Sequence, residues 1–331
     1  MSSDWRGVRL HVVTGKGGTG KTTVAAALAL ALAASGRRAL LVEVEGRQGI
    51  AQLFDCPPLP YEERKIALAP GGGDLYALAI DPESALLEYL EMFYNLRRAG
   101  GVLKRLGAID FATTIAPGMR DVLLTGKCVE AVKRTGPDGR PVYDAVVLDA
   151  PPTGRIAHFL NVNSEVAGLA RVGPIKGQAE SVMRVIRSPA TAVHIVTVLE
   201  EMPVQETIDG AGELAAVHLP VGAVIVNMMR EPQLPPDALA AAAAGRLDPA
   251  EVARGLKAAG LDAPDAVVSG LLAEAAEHAE RVALEDEGRE RLGLLGRPTY
   301  ELPLLTDAGS DTVDLSGLYR LAGQLRQQGA A

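Results

Sequence analysis

Cysteine is scarce in this sequence. Of 331 residues only two are cysteines, Cys56 and Cys128, and they lie far apart in the chain. Two such residues cannot form a CxxC metal site, and they do not make the disulfide framework that staples small secreted domains. The scarcity indicates a reducing compartment, so the sequence predicts a cytoplasmic location.

Positive charge and long apolar runs are also in short supply. Lysine and arginine number 33 against 41 acidic residues, a net charge of -8, which argues against a broad basic surface and so against nucleic acid as a partner. The longest apolar run, residues 24–34, is about half the ~20 residues that a membrane-spanning helix needs. Residues 1–10 lack the apolar stretch of a signal peptide. These absences predict a soluble protein.

Aromatic residues make up 4% of the chain and hydrophobic residues 48%, so we expect a core built mostly from Ala, Val and Leu. Apolar runs alternate with helical stretches, which is typical of a parallel sheet covered on both faces. His11 and His194 fall within two of these runs, where we expect hydrogen-bonded core rings. The sequence predicts an α/β fold, a doubly wound and mostly parallel sheet, with seven strands at residues 8–14, 38–45, 75–80, 143–148, 192–199, 221–227 and 299–302.

Two segments are too long to be simple crossovers between strands. Residues 82–135 and 161–188 predict several helices, which we expect to form a helical subdomain beside the carboxyl edge of the sheet. The chain 1–331 is otherwise interpreted as a single domain. A further helical stretch, 237–292, is rich in alanine and then in charge. This pattern favours a solvated outer layer, with a partner-binding surface as the alternative.

A phosphate-binding loop follows the first predicted strand. Residues 15–22, GKGGTGKT, satisfy the pattern G-x-x-x-x-G-K-[ST] between a strand and a helix. Glycines let successive backbone N–H groups turn around phosphate oxygens, and the helix N-terminus adds a favourable dipole. Lys21 is expected to reach the β- and γ-phosphates of a nucleotide, and the Thr22 hydroxyl to ligate Mg²⁺. The predicted nucleotide contacts of this loop are Gly15, Gly17, Gly18, Thr19, Gly20, Lys21, Thr22 and Thr23.

The same loop contains a second lysine, Lys16. Its early position makes it a poor duplicate of Lys21. A lysine there can instead reach across a two-fold interface to the nucleotide of a second subunit, supplying charge as an arginine finger does. On this interpretation the protein dimerises around nucleotide; the alternative is a solvated loop charge.

The sequence GKGGTGKTT resembles the deviant Walker A signature of the MinD/ParA/nitrogenase-iron-protein class of P-loop ATPases. Residues 43–54, EVEGRQGIAQLF, and 149–155, DAPPTGR, are similar to the two switch segments of one branch, the ArsA and tail-anchored-protein-targeting ATPases. Segments 81–90 and 117–121 also resemble that branch. The resemblance implies binding of ATP with Mg²⁺ and ATP hydrolysis.

The resemblance also assigns roles to residues outside the phosphate loop. Asp149 would hold a Mg²⁺-bound water, and Thr153 and Gly154 would sense the γ-phosphate. Asn227 would contact the adenine, with Pro303 in the following loop. These residues match the branch pattern in the segments DAPPTGR, AVIVNMM and ELPLL.

Two positions depart from the branch pattern. Glu45 stands where the branch has its water-positioning Asp, and Arg155 stands where it has His. The Glu45 carboxylate lies one methylene further from the backbone, so either the loop has retreated, or hydrolysis is slow, or the carboxylate is structural. Arg155 could pair with phosphate or with an acidic residue of a partner, or remain solvated.

Partners are implied by the resemblance and remain open. We expect a homodimer, or a heterodimer with a related ATPase that carries the usual Asp, and a hydrophobic client or membrane protein as cargo. A MinD/ParA-like positioning ATPase and a weakly hydrolysing regulatory subunit are the alternatives. The cysteine count argues against the zinc clamp, the bridging iron–sulfur cluster and the arsenite site of some relatives. The aromatic stretch 85–96, ALLEYLEMFYNL, could line a client groove, although core packing is the preferred interpretation.

Overall fold

The computed structural model describes residues 4–94, 118–169, 174–305 and 313–331. Its centre is an eight-stranded sheet. The strands are β1 Leu10–Gly15, β2 Arg38–Glu43, β3 Arg64–Ala69, β4 Gly73–Ala79, β5 Ala145–Asp149, β6 Thr191–Thr197, β7 Val221–Met229 and β8 Thr299–Pro303. Their order is β3-β4-β2-β5-β1-β6-β7-β8, and every neighbouring pair is parallel except β3 with β4. The predicted α/β fold with a mostly parallel sheet is confirmed.

Helices cover both faces of this sheet. They are α1 Lys21–Ala33, α2 Gly49–Leu53, α3 Pro82–Tyr94, α4 Met119–Lys133, α5 Thr153–Leu169, α6 Pro174–Ile186, α7 Glu201–Ala216, α8 Pro236–Ala243, α9 Pro249–Ala258, α10 Asp265–Gly293 and α11 Leu315–Gln327. Helices α1 and α11 contribute to one hydrophobic core, and α3 to α7 to the core on the opposite face. The two cores give the doubly wound arrangement its layers.

Helix α1 is buried along nearly its whole length, from Val24 to Ala33. Most helices bury one stripe, but this one packs between the sheet and α11, so an apolar residue is needed at every position. Its many alanines keep the neighbouring layers close. Truncation of Leu28, which is almost completely buried, is expected to cost about 2–5 kcal/mol of folding free energy.

The seven predicted strands are all present, with two instructive differences. The second strand ends at Glu43, so Glu45 lies in the loop beyond it rather than in the strand. Strand β3 was not predicted. It is a short antiparallel edge strand whose first two residues, Arg64 and Lys65, are exposed. Charged residues blunt an edge strand against aggregation, and they also hide its apolar pattern.

The predicted helical regions contain α3 to α6, and these helices contact one another as well as the sheet. Residues 95–117 and 170–173 lie outside the described part of the chain, as do the side chains of the predicted aromatic groove from residue 89 onward. The division into a separate helical subdomain stays a prediction. In the stretch 237–292, helix α10 buries few of its residues, which agrees with an outer layer. Among the described helices, none is both long and apolar enough to span a membrane.

Two histidines lie at the centre of the sheet, as expected for hydrogen-bonded core residues. His11 and His194 are buried, with His11 Nδ1 3.1 Å from His194 Nε2. The backbone N–H of Ala223 donates to His194 Nδ1 at 3.1 Å. Neutral His194 must therefore carry its proton on Nε2 and donate it to His11. Trp5 packs edge-on against His194, with the ring centroids 4.9 Å apart.

Candidate functional site

The loops after β1, β2 and β5 converge at the carboxyl edge of the sheet, because these strands are parallel neighbours. The phosphate loop follows β1 and leads into α1. Gly20, with φ at +81°, is the N-cap of α1, and a Cβ on it would lie 2.4 Å from Asn227 Nδ2. A Cβ on Gly15 would lie 2.2 Å from the Val196 carbonyl oxygen. Only glycine fits at these two positions, so Gly15 and Gly20 are required by space as well as by conformation.

A hydrogen bond joins the two residues predicted to hold Mg²⁺. The Thr22 hydroxyl at the start of α1 donates to Asp149 Oδ2 at the end of β5, at 2.7 Å. The other carboxylate oxygen, Oδ1, is buried and has no hydrogen-bond partner within the described residues. A hydroxyl and a carboxylate oxygen side by side are the donor set that a hard divalent cation takes. These residues therefore fit Mg²⁺.

The surroundings of Asp149 raise the pKa of its carboxyl group. Burial, together with the nearby carboxylates of Glu43 and Glu45, raises the pKa of its carboxyl to about 6. The Thr22 hydrogen bond and the positive charge of Lys21 oppose that rise. A cation bound beside Asp149 would favour its ionised form and lower this pKa.

Hydrogen bonds hold the phosphate loop together and connect it to β7. The Thr19 hydroxyl donates to the Lys16 carbonyl oxygen at 2.9 Å, and Asn227 Nδ2 donates to the Thr19 carbonyl oxygen at 2.9 Å. Asn227 is buried near the end of β7, and the Leu304 N–H next to Pro303 donates to the Met229 carbonyl oxygen at 2.7 Å. The structure thus brings the predicted adenine-contacting segment against the phosphate loop.

Lys16 forms an ion pair within its own chain. Its Nζ lies 2.7 Å from Glu206 Oε1 on α7, and both side chains are about one-third exposed, 32% and 37%. Nothing in the sequence pattern singled out Glu206. The contact arises because β6, which precedes α7, pairs with β1, which precedes the loop.

The first switch segment places two acidic residues in different environments. Glu43 is buried, and its carboxylate accepts hydrogen bonds from the backbone N–H groups of Gln48 and Ile50, which caps α2. Glu45 Oε2 lies 3.8 Å from Arg47 Nε, and the Glu45 side chain is 24% exposed. Glu45 therefore forms an ion pair with Arg47 in this structure. Glu43, by contrast, stabilises the start of α2, a structural role that the sequence did not predict.

The second switch segment is anchored at both ends. The Thr14 hydroxyl donates to the Pro151 carbonyl oxygen at 2.7 Å. Thr153 begins α5 and is buried, and Gly154 has open space around its Cα. Arg155 Nη2 lies 3.5 Å from Asp121 Oδ2 on α4. The acidic partner of Arg155 is therefore in the same chain.

Comparison with known proteins agrees with this geometry. The family model described as "Anion-transporting ATPase" matches residues 8–189, which include the phosphate loop and both switch segments. The chain belongs to the anion-transporting ATPase family.

Relatives of this chain carry several names. The chain is 57% identical over 323 residues to "ATPase BagA" of Mycobacterium tuberculosis (strain H37Rv), covering 98% of this chain and 94% of that protein. It is 28% identical over 253 residues to the "Arsenical pump-driving ATPase" of Acidiphilium multivorum, covering 69% of this chain and 41% of that protein. It is 26% identical over 251 residues to "ATPase GET3" of Kluyveromyces lactis, covering 66% of this chain and 71% of that protein. These relatives support the predicted ArsA and targeting-ATPase branch.

Proposed function

We propose that this chain is an ATP-binding and ATP-hydrolysing switch that acts as a dimer and couples its nucleotide state to a client or membrane partner. The observation that carries the proposal is the 2.7 Å hydrogen bond between Thr22 and Asp149 beside the phosphate loop. Family membership supplies the ATPase activity in general. The dimer, the client and the roles of individual residues are part of our proposal.

Binding of ATP uses groups that already face one another. The backbone N–H groups of the loop and the Lys21 ammonium hold the β- and γ-phosphates. Thr22 and Asp149 are the residues that would hold Mg²⁺, Thr22 through its hydroxyl oxygen and ionised Asp149 by accepting a hydrogen bond from a water beside it. Bound Mg²⁺ supplies neutralisation of the phosphate charge. Thr153 and Gly154 lie at the start of α5, where backbone N–H groups can bind the γ-phosphate.

Hydrolysis requires a positioned water, and Glu45 is the proposed residue. Its ion pair with Arg47 must open before the carboxylate can face the γ-phosphate. That step, together with the longer side chain, favours slow turnover. The same ion pair supports a second candidate, a weakly hydrolysing regulatory subunit that pairs with a related ATPase.

Lys16 acts across the dimer in this proposal. In a single chain its ammonium is held by Glu206 on α7. This ion pair is partly exposed, so its net contribution is about 0–1 kcal/mol. The phosphate charge of a second subunit's nucleotide is strong enough to draw Lys16 away, which makes dimer formation dependent on ATP.

The test compares phosphate release and ATP binding in the purified chain and three variants. Lys21→Ala should lose ATP binding and turnover. Lys16→Ala should keep ATP binding but lose turnover, and the wild-type specific activity should rise with protein concentration. Lys65→Ala is the matched control, since Lys65 pairs with Asp74 away from the loop, at 2.6 Å.

The outcomes separate the two candidates. Loss of turnover in both loop variants, with the control unchanged, supports a self-sufficient homodimer. ATP binding without phosphate release by the wild-type chain supports the regulatory subunit. Full turnover by Lys16→Ala would contradict a role for Lys16 across the dimer.

A further inference from the structure

A second polar cavity lies at the amino edge of the sheet, opposite the phosphate loop. It opens where β1 and β5 begin, beside the end of α1, and its volume is about 470 Å³. That volume is within the roughly 300–1,000 Å³ of small-molecule sites in proteins. The side chains that matter here are Trp5, Arg6, Arg9, Arg37 and Asp144.

Three arginines and one aspartate are among the residues that line this cavity. Among the ion pairs of the described residues, none includes Arg6, Arg9 or Arg37. The Asp144 carboxylate accepts a hydrogen bond from the Arg38 backbone N–H at 2.8 Å. The cavity therefore carries excess positive charge in a chain whose net charge is -8, and its walls favour an anion.

Arg9 and Arg37 donate hydrogen bonds to backbone carbonyl oxygens, which carry no formal charge. Arg9 Nη2 donates to the Tyr143 carbonyl oxygen at 2.9 Å, and Arg37 Nε donates to the Ala34 carbonyl oxygen at 3.2 Å. Arg9 Nε is buried without a partner in the described chain. Buried polar atoms are nearly always satisfied, so an orphaned nitrogen on a half-buried cation is a second sign that this group lacks a counter-ion.

We propose that this cavity binds a phosphate group, either as free phosphate or on a small soluble molecule. Planar guanidinium groups match the oxygens of a phosphate and can bind them in pairs. Arg9 immediately precedes β1, and Arg37 lies in the connection between α1 and β2. An ion held by both would therefore bridge two separate segments of the chain. This site is separate from the phosphate loop and does not rest on the proposed ATPase cycle.

The adjacent arginines 37 and 38 provide a matched pair for the test. Arg37 lines the cavity, whereas Arg38 points to Asp74 with its Nε 3.9 Å from the carboxylate and is 57% exposed. Replacement of either by Gln removes one positive charge from the same part of the surface. Only Arg37→Gln removes a charge from the cavity.

The experiment is equilibrium dialysis with radiolabelled inorganic phosphate, using the full chain with Lys21→Ala to disable the phosphate loop. We expect one phosphate per chain, weakened about tenfold or more by Arg37→Gln and by Arg9→Gln and changed less than about twofold by Arg38→Gln. Circular dichroism verifies folding; if Arg9→Gln unfolds, the pair 37 and 38 decides alone. Phenyl phosphate as a competitor identifies the source, because tighter binding than free phosphate indicates a small organic phosphate.

Two results would overturn the proposal. One is the absence of saturable phosphate binding up to about 10 mM, a range that covers weak but specific sites. The other is an equal loss of binding in Arg37→Gln and Arg38→Gln, which would mean general charge attraction. Neither result bears on ATP hydrolysis, and loss of ATP hydrolysis has no bearing on this site.

Discussion

The centre of the sheet and its carboxyl edge both bury ionisable groups, with different consequences. His11 and His194 lie within β1 and β6, and burial lowers the pKa of His11 to about 4 and that of His194 well below its usual value. Asp149 lies at the end of β5, and burial raises the pKa of its carboxyl to about 6. Burial favours the neutral form in both places.

The difference lies in what can reach each group. The histidines are enclosed by core residues and by each other, so their neutral state is permanent at physiological pH. Asp149 faces the phosphate loop, where a cation and its nucleotide can arrive. A pKa shifted by burial at a position that a ligand can reach indicates a functional site, whereas the same shift inside the core belongs to a structural residue.

The largest expected effect is that of Asp149→Asn. The amide can still accept the Thr22 hydrogen bond but cannot act as an anion beside Mg²⁺. We expect Mg²⁺-dependent ATP hydrolysis to fall by about 10²–10³-fold. The free energy of unfolding without added nucleotide should rise by about 1–3 kcal/mol at pH 7.5, since the variant removes a charge whose burial is unfavourable. Phosphate release and urea unfolding measure the two effects.

Loss of activity together with loss of stability would contradict this interpretation, because it would place Asp149 among structural residues. The matched control is Asp144→Asn, a similar change at the other end of the same strand segment. Asp144 is exposed and accepts its hydrogen bond from the Arg38 backbone. Its substitution should leave ATP hydrolysis unchanged.

Acid titration tests the histidine side of the comparison. The native pKa of His11, about 4, lies below the unfolded value of 6.5, so the unfolded chain binds the proton first. Stability is complete above pH 6.5 and falls as the pH drops toward 4. We expect a loss of about 2 kcal/mol between pH 7 and pH 5 from this residue. Asp149 acts in the opposite sense, since its raised pKa makes the native state more favourable as the pH falls below 6.

The variant His11→Phe should remove that acid-dependent loss. Urea unfolding at pH 7 and pH 5 gives the difference, followed by the fluorescence of Trp5, the only tryptophan, which packs on His194. His158→Gln is the control, because His158 is 59% exposed. An unchanged pH dependence in His11→Phe would mean that His194 alone, or another group, causes the acid sensitivity.

Glu45 differs from both the buried histidines and Asp149. It is neither enclosed in the core nor hydrogen-bonded to Thr22, and its carboxylate pairs with Arg47. Glu45→Asp shortens the carboxylate by one methylene and restores the residue expected in the switch of this branch. If a misplaced water limits turnover, kcat should rise about tenfold with little change in the KM for ATP. Glu62→Asp, at an exposed position, is the control. A fall in kcat would show that the loop after β2 is built around the longer side chain.

Local sequence patterns were sufficient for the parts of the molecule that one segment determines. The phosphate loop, the seven apolar strands and the buried histidines each follow from a short run of residues. Family resemblance then supplied Asp149 and Asn227, which the structure brings against Thr22 and Thr19. These predictions needed no knowledge of which strands are neighbours.

Contacts between distant segments were not predictable in this way. Glu206 meets Lys16 only because β6 lies beside β1, and Arg155 meets Asp121 only because α4 packs against α5. The cavity at the amino edge collects arginines from two connections that look like ordinary charged turns. Strand β3 was missed since its charged residues mask a short alternating pattern.

The smallest expected effect concerns the exposed ion pair between Lys16 and Glu206. Glu206→Gln should change the free energy of unfolding by less than about 0.5 kcal/mol, since both groups remain hydrated. It should raise the fraction of dimer formed with ATP and Mg²⁺ by about two- to fivefold, because Lys16 no longer has to leave a carboxylate. Sedimentation velocity measures the dimer, with Glu213→Gln on the exposed face of α7 as the control.

Salt gives an independent check of the same ion pair. High ionic strength screens a partly exposed pair, so it should narrow the difference between wild type and Glu206→Gln. Fewer dimers in Glu206→Gln than in wild type would reverse the interpretation, since Glu206 would then be orienting Lys16 toward the second subunit. Lys16 therefore differs from Asp149 in a testable way: its charge is held by a weak, solvated partner, while that of Asp149 is disfavoured until a ligand arrives.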